Sequence, residues 1–256
     1  VRLSPADDIL IRVQRPLDFD SDGQLVASVL SKKVAAGSSH VLIDMPVGPT
    51  AKVRSEAAAD SLGSRLAHTA GALGLQLGIH RSDGSQPVGR GIGPALEAHD
   101  VLKVLRNAAD APADLRERAL ALSAALLDMA PGSSAGTGLE RAHSVLDSGA
   151  ALAKFLAICE AQGGFREPPR AAFTADVPAA TSGRIFEIDN RKLAKLAKLA
   201  GAPTSPTAGL ETGLWVGDTV ERGQPLLTLH AESRGELAYA LEHAVTLQPF
   251  VLGEAP

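Results

Sequence analysis

The sequence predicts an α/β protein: a mixed, largely parallel sheet with flanking helices, followed by a small β-rich C-terminal domain of the barrel-sandwich kind. The first part rests on short apolar runs that alternate with helical periodicities, because such alternation is typical of βαβ units. The second part rests on the paired glycines and paired prolines at residues 163–169, which punctuate a domain boundary, and on the short strands that follow. The predicted regions are residues 1–37 as a leading strand and helix, 38–169 as the α/β domain and 170–256 as the β-rich domain.

Apolar spacing places the elements of the first two regions. An extended segment is predicted over residues 9–13, and a helix over residues 21–37, where apolar side chains recur at helical spacing before Gly37 as a C-terminal cap. Apolar strands follow over residues 40–46 and 75–80. The remaining predicted helices cover residues 55–74, a segment that starts at Pro94, and residues 112–129, 139–146 and 150–162.

Short strands dominate the third region. Two helices interrupt them, one after the cap candidate Asn190 and one opened by a capping box at residues 233–236. A glycine-rich turn at residues 217–223 precedes an apolar strand, which favours a small barrel-like sandwich. The predicted strands cover residues 172–177, 183–188, 213–216 and 225–230.

Composition and charge favour a cytoplasmic protein that acts on a small molecule. With 256 residues, 45% of them hydrophobic, the chain can bury a sizeable core. The net charge of -4 provides no basic field for nucleic acid or an anionic membrane, so neither is an expected partner. No apolar run reaches the about 18 residues of a membrane span. The single cysteine, Cys159, excludes an intrachain disulfide framework and fits a reducing compartment.

Metal and hydrolase chemistry have no support in the sequence. The histidines are scattered without the spacing of metal ligands, so no metal centre is predicted from them. A Gly-x-Ser-x-Gly nucleophile elbow is absent. Cys159 lies in an apolar helical run, which favours a structural thiol over a nucleophile.

Three aspartates, Asp18, Asp20 and Asp22, cluster where the helix of residues 21–37 begins. Carboxylates at a helix start accept hydrogen bonds from free N–H groups and complement the helix dipole. One of them could instead act as a general acid that protonates a leaving group. Spacing alone favours the capping interpretation and does not choose among the three aspartates.

Ser28, Lys32 and Lys52 are candidate ligand contacts. Ser28 and Lys32 lie one helical turn apart, so a hydroxyl and an ammonium can hold one small polar ligand between them. Lys52 follows a predicted strand in a turn, from which it could reach a phosphate as a point charge. A solvated helix face and an ordinary surface lysine are the alternative interpretations.

The segment of residues 83–94 contains four glycines between a predicted strand and a predicted helix. Such a loop can bring backbone N–H groups close to an anion. A tightly packed strand-to-helix crossover is the alternative. The full dinucleotide-binding spacing and the Walker ending are both absent, so the pattern is a weak signal.

Four motifs are informative when taken together: SVLSKKVAAG at residues 28–37, IDMPVG at 43–48, SQPVGRGIGPALE at 85–97 and GDTVERGQPLLTLH at 217–230. Together they resemble the thymidine and pyrimidine-nucleoside phosphorylase family. Two further segments, PADD at 5–8 and SSHVLIDMPVGPTAK at 38–52, resemble one branch of it. That branch contains AMP phosphorylases and bacterial proteins named as thymidine phosphorylases.

The resemblance implies roles for particular residues. Asp20 matches the proton donor of the AMP-phosphorylase branch, and Ser28 and Lys52 match its substrate contacts. Ser28 and Lys32 also match the pair that binds the pyrimidine in thymidine phosphorylases. Asp7 falls where those enzymes have an arginine that contacts the base, which argues against strict pyrimidine specificity.

The resemblance also implies the chemistry. The expected activity is that of a pentosyltransferase in nucleoside salvage or catabolism: thymidine and phosphate give thymine and 2-deoxyribose 1-phosphate, or AMP reacts in the equivalent way. Inorganic phosphate is the co-substrate, no cofactor is expected, and the protein is expected to be a homodimer. Glu97 matches a glutamate that is associated with a monovalent cation in some relatives, although a carboxylate at a helix start is an equal alternative.

The resemblance further implies an incomplete chain, because family members carry an earlier helical lobe and most phosphate contacts ahead of this region. Residues 1–37 then belong to the base-binding lobe, and the chain as given is expected to be inactive alone. A non-catalytic dimerising or carrier-like module is the alternative of another class. The C-terminal unit resembles a biotinyl-carrier barrel, but its turn at residues 217–223 has no lysine for attachment.

Overall fold

The computed structural model describes residues 5–14, 21–133 and 136–253. The helices are α1 (Pro5–Gln14), α2 (Asp22–Ala35), α3 (Glu56–Ala72), α4 (Pro94–Leu105), α5 (Ala113–Met129), α6 (Gly138–Asp147), α7 (Ala150–Ala161), α8 (Asn190–Leu199) and α9 (Arg234–Leu247). The strands are β1 (His40–Val47), β2 (Gln76–Asp83), β3 (Gly91–Ile92), β4 (Phe173–Pro178), β5 (Gly183–Ile188), β6 (Gly209–Glu211), β7 (Thr219–Val220), β8 (Pro225–Ala231) and β9 (Phe250–Gly253).

The α/β region is built on a parallel pair of strands. Strands β1 and β2 align from His40 opposite Gln76 to Val47 opposite Asp83, with α3 between them in the chain. This pairing confirms the predicted α/β class with parallel strands. The core beneath α2 and α3 contains Val26, Leu30, Val41, Met45, Val53, Ala59, Leu62, Leu66, Ala70 and Leu75.

Helix α2 begins and ends where the sequence predicts. The Ser21 side chain accepts a hydrogen bond from the N–H of Gln24, which caps the first turn. At the other end Gly37 has a φ of 72°, and the N–H groups of Gly37 and Ser38 bond back to the carbonyls of Val34 and Lys33. This double return is a Schellman motif, and it requires the left-handed conformation that glycine adopts most easily.

Helices α4, α5 and α6 share a second, smaller core around Val104, Leu120, Ala142 and Leu146. Within the described ranges, no single helix is long and apolar enough to cross a membrane. Helices α6 and α7 meet that length and composition only when taken together, and the chain bends by 71° between them.

The C-terminal region contains two small antiparallel sheets around one core. Their strand orders are β3-β6-β8-β4 and β7-β5-β9. Strand β3 comes from the middle of the chain, so the glycine-rich segment contributes directly to the C-terminal sheet. The core between the sheets and helices α8 and α9 is formed mainly by Ile185, Ile188, Leu193, Leu196, Leu210, Val220, Leu227, Leu229 and Phe250.

The helix starts of the C-terminal region largely follow the sequence prediction. The Ser233 side chain accepts from the N–H of Glu236, and its hydroxyl donates to the Glu236 carboxylate, so the capping interaction is confirmed. For α8 the cap is Asp189 rather than Asn190, and its carboxylate accepts from the N–H groups of Arg191 and Lys192.

The extended segment predicted over residues 9–13 is wrong, because these residues lie in helix α1. Pro5 occupies the first helical position, Asp7 and Asp8 lie in the first turn, and Arg12 lies in the last turn. These residues favour a helix start and match the helix dipole at both ends, which outweighs the β-propensity of the apolar run. The strand predicted within residues 1–37 is therefore replaced by a helix.

The strand predicted over residues 213–216 is also wrong. The N–H of Trp215 donates to the Asp218 carboxylate at 2.8 Å, and the N–H of Val216 donates to the Gln86 side chain at 2.8 Å. Because side chains take these N–H groups, the segment has no regular ladder to offer a neighbouring strand. The strands lie on either side of it, as β6 and β7.

Candidate functional site

Helix α2 has one face in the core and another at the edge of that core, where Leu25 and Val29 are partly buried. Val26 and Leu30 are buried under the helix. Leu25, Ser28, Val29 and Lys32 follow the i, i+3, i+4, i+7 spacing, so they share another face. The sequence thus combines two apolar and two polar side chains on a single helical stripe.

Ser28 and Lys32 are in contact, and Asp7 of α1 joins them. Lys32 Nζ lies 3.0 Å from Ser28 Oγ and 2.6 Å from Asp7 Oδ2. Ser28 Oγ donates to the same Asp7 oxygen at 3.0 Å. The Asp7 side chain is only 6% exposed, whereas that of Lys32 is 41% exposed. We call Asp7, Ser28 and Lys32 the α2 cluster.

Electrostatics keep the α2 cluster as an ion pair. The hydrogen bond from Lys32 lowers the pKa of the Asp7 carboxyl below its ordinary value, burial opposes this by raising it, and the bond from Ser28 lowers it further. Asp7 is therefore an anion at neutral pH. Its charge offsets that of Lys32, so the cluster as a whole is close to neutral.

Lys52 lies at the junction of two adjoining cavities. One, of about 200 Å³, is mostly apolar and includes Leu25 and Val29 of the α2 stripe. The other, of about 320 Å³, includes Ser21 and Asp22 at the start of α2. Lys52, Leu25, Val53 and Leu62 belong to both. Because they share four lining residues, the two cavities form one cleft with an apolar slot and a polar mouth, and Lys52 lines both parts.

Asp20, the expected proton donor, lies outside the described residues. The described chain resumes at Ser21, which lines the polar mouth of the cleft. The structure therefore places Lys52 and the start of α2 in one cleft, with Ser28 and Lys32 farther along the same helix.

Glu97 is not part of the cleft lining or of the α2 cluster. Its Oε1 accepts the N–H of Gly93 at 3.0 Å in the first turn of α4. This contact is the helix-start arrangement, the alternative to a role as a cation ligand. Among the residues that the structure describes, no group of three or more His, Cys, Asp and Glu side chains could hold a metal ion.

The glycine-rich segment has its backbone donors occupied by the protein itself. Asp100 Oδ2 accepts the N–H groups of Arg90 at 2.6 Å and Gly91 at 2.8 Å. Asp114 Oδ2 accepts the N–H of Gly89 at 2.9 Å. These donors are not available to an anion, so the segment is a tightly packed crossover rather than an anion cradle. We call Asp100, Asp114 and the segment they hold the loop clamp.

The loop clamp also connects the α/β region to the C-terminal region. The Arg90 guanidinium lies 3.2 Å from Asp114 Oδ1 and 4.1 Å from the ring centroid of Trp215. The Arg90 carbonyl accepts the N–H of Thr212 at 3.0 Å. Sequence reasoning missed Asp100, although an isolated acidic residue among the apolar positions of α4 was a usable signal.

Comparison with known proteins gives the same family as the motifs. The model of the pyrimidine nucleoside phosphorylase C-terminal domain matches residues 185–248. "Putative thymidine phosphorylase 2" of Acidovorax sp. (strain JS42) is 64% identical over 242 residues, which are 94% of this chain and 47% of that protein. "Putative thymidine phosphorylase" of Chelativorans sp. (strain BNC1) is 57% identical over 255 residues, which are 100% of this chain and 50% of that protein.

The chain spans about half the length of the curated relatives it matches. The matches extend over nearly all of it, including α2, Lys52 and the C-terminal sheets. On these matches, the chain belongs to the thymidine and pyrimidine-nucleoside phosphorylase family.

Proposed function

We propose that the protein to which this chain belongs uses inorganic phosphate to cleave the N-glycosidic bond of a nucleoside or nucleotide. Relatives named as thymidine phosphorylases support the pyrimidine nucleoside version of this reaction. The structural support is that Ser28 and Lys32 of the α2 cluster lie on the same helical stripe as Leu25 and Val29, which line the apolar slot together with Lys52.

That combination suits a nucleobase. A base has flat apolar faces and a polar edge, so it needs an apolar slot with a few hydrogen-bonding groups along one side. Leu25 and Val29 supply apolar surface, while Ser28 and Lys32 lie on the same helical stripe as hydrogen-bonding groups. Lys52 lies where a point charge can hold a phosphate or another anionic part of the substrate.

The proposed reaction is a displacement at the sugar carbon. A phosphate oxygen forms a bond to C1′ while the C1′–N bond breaks and its electron pair goes to the base. Asp20 donates a proton to the departing base, and a neutral base leaves. Protonation reduces the cost of negative charge on the base, and an oriented phosphate relieves the cationic character at C1′.

The proposal has two versions, which differ in the base and in whether the substrate carries a 5′-phosphate. Thymidine would give thymine and 2-deoxyribose 1-phosphate, and AMP would give adenine and ribose 1,5-bisphosphate. On the motif resemblance, Asp7 falls where thymidine phosphorylases have an arginine that contacts the base. This carboxylate beside Ser28 and Lys32 supports the AMP-type version.

The test is to incubate the full-length protein with thymidine, uridine, AMP and CMP, with and without phosphate, and to measure free base and sugar phosphate by chromatography. We expect base release from at least one substrate that depends on phosphate. Base release without phosphate would identify a hydrolase instead. No release from any substrate by folded protein would favour the non-catalytic dimerising or carrier-like module.

A further inference from the structure

The hydroxyl of Ser28 has a fixed role in the α2 cluster. A serine hydroxyl has one proton to donate and two lone pairs that accept. The proton goes to Asp7 Oδ2, and one lone pair accepts from Lys32 Nζ. A ligand that approaches Ser28 therefore meets a hydrogen-bond acceptor and not a donor.

Lys32 has the complementary role. Its ammonium carries three N–H donors, and the contacts to Asp7 and Ser28 use two of them. The side chain is 41% exposed, so the third donor can face a ligand. Ser28 and Lys32 thus offer one acceptor beside one donor, in a fixed order along the helix.

Asp7 sets this order. Its carboxylate is buried against α2 and touches both side chains, whereas the neighbouring Asp8 is exposed on the same helix. Without the Asp7 acceptor, the Ser28 hydroxyl could rotate and donate to a ligand, and the order would be lost.

We propose that Asp7 is a positioning residue that makes Ser28 an acceptor and Lys32 a donor, so that the site selects among nucleobases by the order of donor and acceptor along one edge. This inference rests on the proposed base-binding role of the α2 cluster. It concerns pairs such as adenine and hypoxanthine, or cytosine and uracil. The members of each pair are nearly equal in size, but their amino and keto groups exchange donor and acceptor.

Selectivity should follow from mismatched hydrogen bonds. In the wrong member of a pair, a donor faces the Lys32 ammonium and an acceptor faces the Ser28 oxygen. Buried groups left unpaired in this way weaken binding by about ten- to a hundredfold.

The test is the equilibrium binding of free adenine, hypoxanthine, cytosine and uracil to the full-length protein by calorimetry. For the wild type, we expect at least about tenfold selectivity within one or both pairs. Asp7→Ala should lower that ratio by at least about threefold, because the Ser28 hydroxyl can then also donate, while Lys32 remains a donor. Asp7→Asn should keep the selectivity, because its amide oxygen can accept from both neighbours. Asp8→Ala is the matched control and should change nothing.

The ratio within a pair separates positioning from general damage, since a loosened fold weakens both members alike. Equal binding within both pairs, or selectivity that Asp7→Ala retains, would overturn the inference while leaving phosphorolysis intact. If none of the four bases binds, both this inference and the base-binding role of the α2 cluster are overturned. Base binding without any phosphorolysis would instead overturn the proposed function alone.

Discussion

The α2 cluster and the loop clamp are both polar assemblies in a family of nucleoside enzymes, yet they differ in what they leave available. In the loop clamp, Asp100 and Asp114 occupy the N–H groups of three successive residues. In the α2 cluster, Lys32 stays partly exposed, and Ser28 and Lys32 retain hydrogen-bonding capacity. This difference makes the α2 cluster the candidate for ligand binding and the loop clamp a scaffold, a distinction that a glycine-rich pattern alone does not provide.

The largest effect is expected for Asp20→Asn in the full-length protein. Loss of the proposed general acid should lower kcat by about a hundred- to ten-thousandfold, because the base must then leave as an anion. Steady-state phosphorolysis of the best substrate measures this. Asp18→Asn is the matched control and should retain most activity. Wild-type turnover in Asp20→Asn would remove Asp20 from the mechanism.

The next effect tests the loop clamp, and it should appear in stability rather than in base binding. Asp100→Ala leaves the N–H groups of Arg90 and Gly91 without their acceptor, which should lower the free energy of unfolding by about 3 kcal/mol. Asp114→Ala removes a more exposed carboxylate and should cost about 1 kcal/mol. Urea unfolding gives both values. If both variants lost the same free energy of unfolding, the burial of the Asp100 carboxylate would not explain its contribution.

A smaller effect is expected in base affinity for Lys32→Met. The variant keeps most of the side-chain volume and removes the ammonium donor, so base binding should weaken by about tenfold. Lys33→Met lies next to it on the same helix with an exposed side chain, and it should bind base like the wild type. Calorimetric titration compares the two. A similar loss in both variants would point to general helix or charge effects and not to the α2 cluster.

The smallest effect is a pH dependence of stability. Because the folded-state pKa of Asp7 is lowered, its contribution is fully present above the ordinary aspartate pKa and is lost as pH falls through the lowered value. The difference in unfolding free energy between wild type and Asp7→Asn should therefore be constant near neutral pH and shrink only in acid. A difference in unfolding free energy that grew on acidification would show that folding raises the pKa of Asp7 and does not lower it.

Local features of helix α2 and the α2 cluster could be predicted from the sequence, and long-range ones could not. The contact between Ser28 and Lys32 follows from helical spacing, and the cap at Gly37 follows from the end of the apolar periodicity. The contact with Asp7 spans 21 positions in the chain and depends on how α1 packs on α2. An apolar run with β-branched residues is ambiguous between strand and helix, so this pattern predicts an extended segment where α1 lies.

The loop clamp shows the same limit from the opposite direction. A strand–glycine–helix pattern fits both an anion cradle and a packed crossover, because sequence does not reveal which groups occupy the backbone donors. Here Asp100 occupies the N–H groups of Arg90 and Gly91 from ten and nine residues away, and this contact makes the segment a packed crossover. The parallel pair and the β-rich C-terminal region were predictable, since their periodicity is local.

Strand β3 has a consequence for how this protein can be divided. It lies at the edge of the C-terminal sheet but comes from the segment that follows β2. A cut in the linker at residues 163–169 would uncover the edge of β6, and exposed sheet edges promote self-association. The C-terminal region is therefore not an exchangeable module: a graft, a swap or a recombination between relatives must carry Gly91 and Ile92 with it.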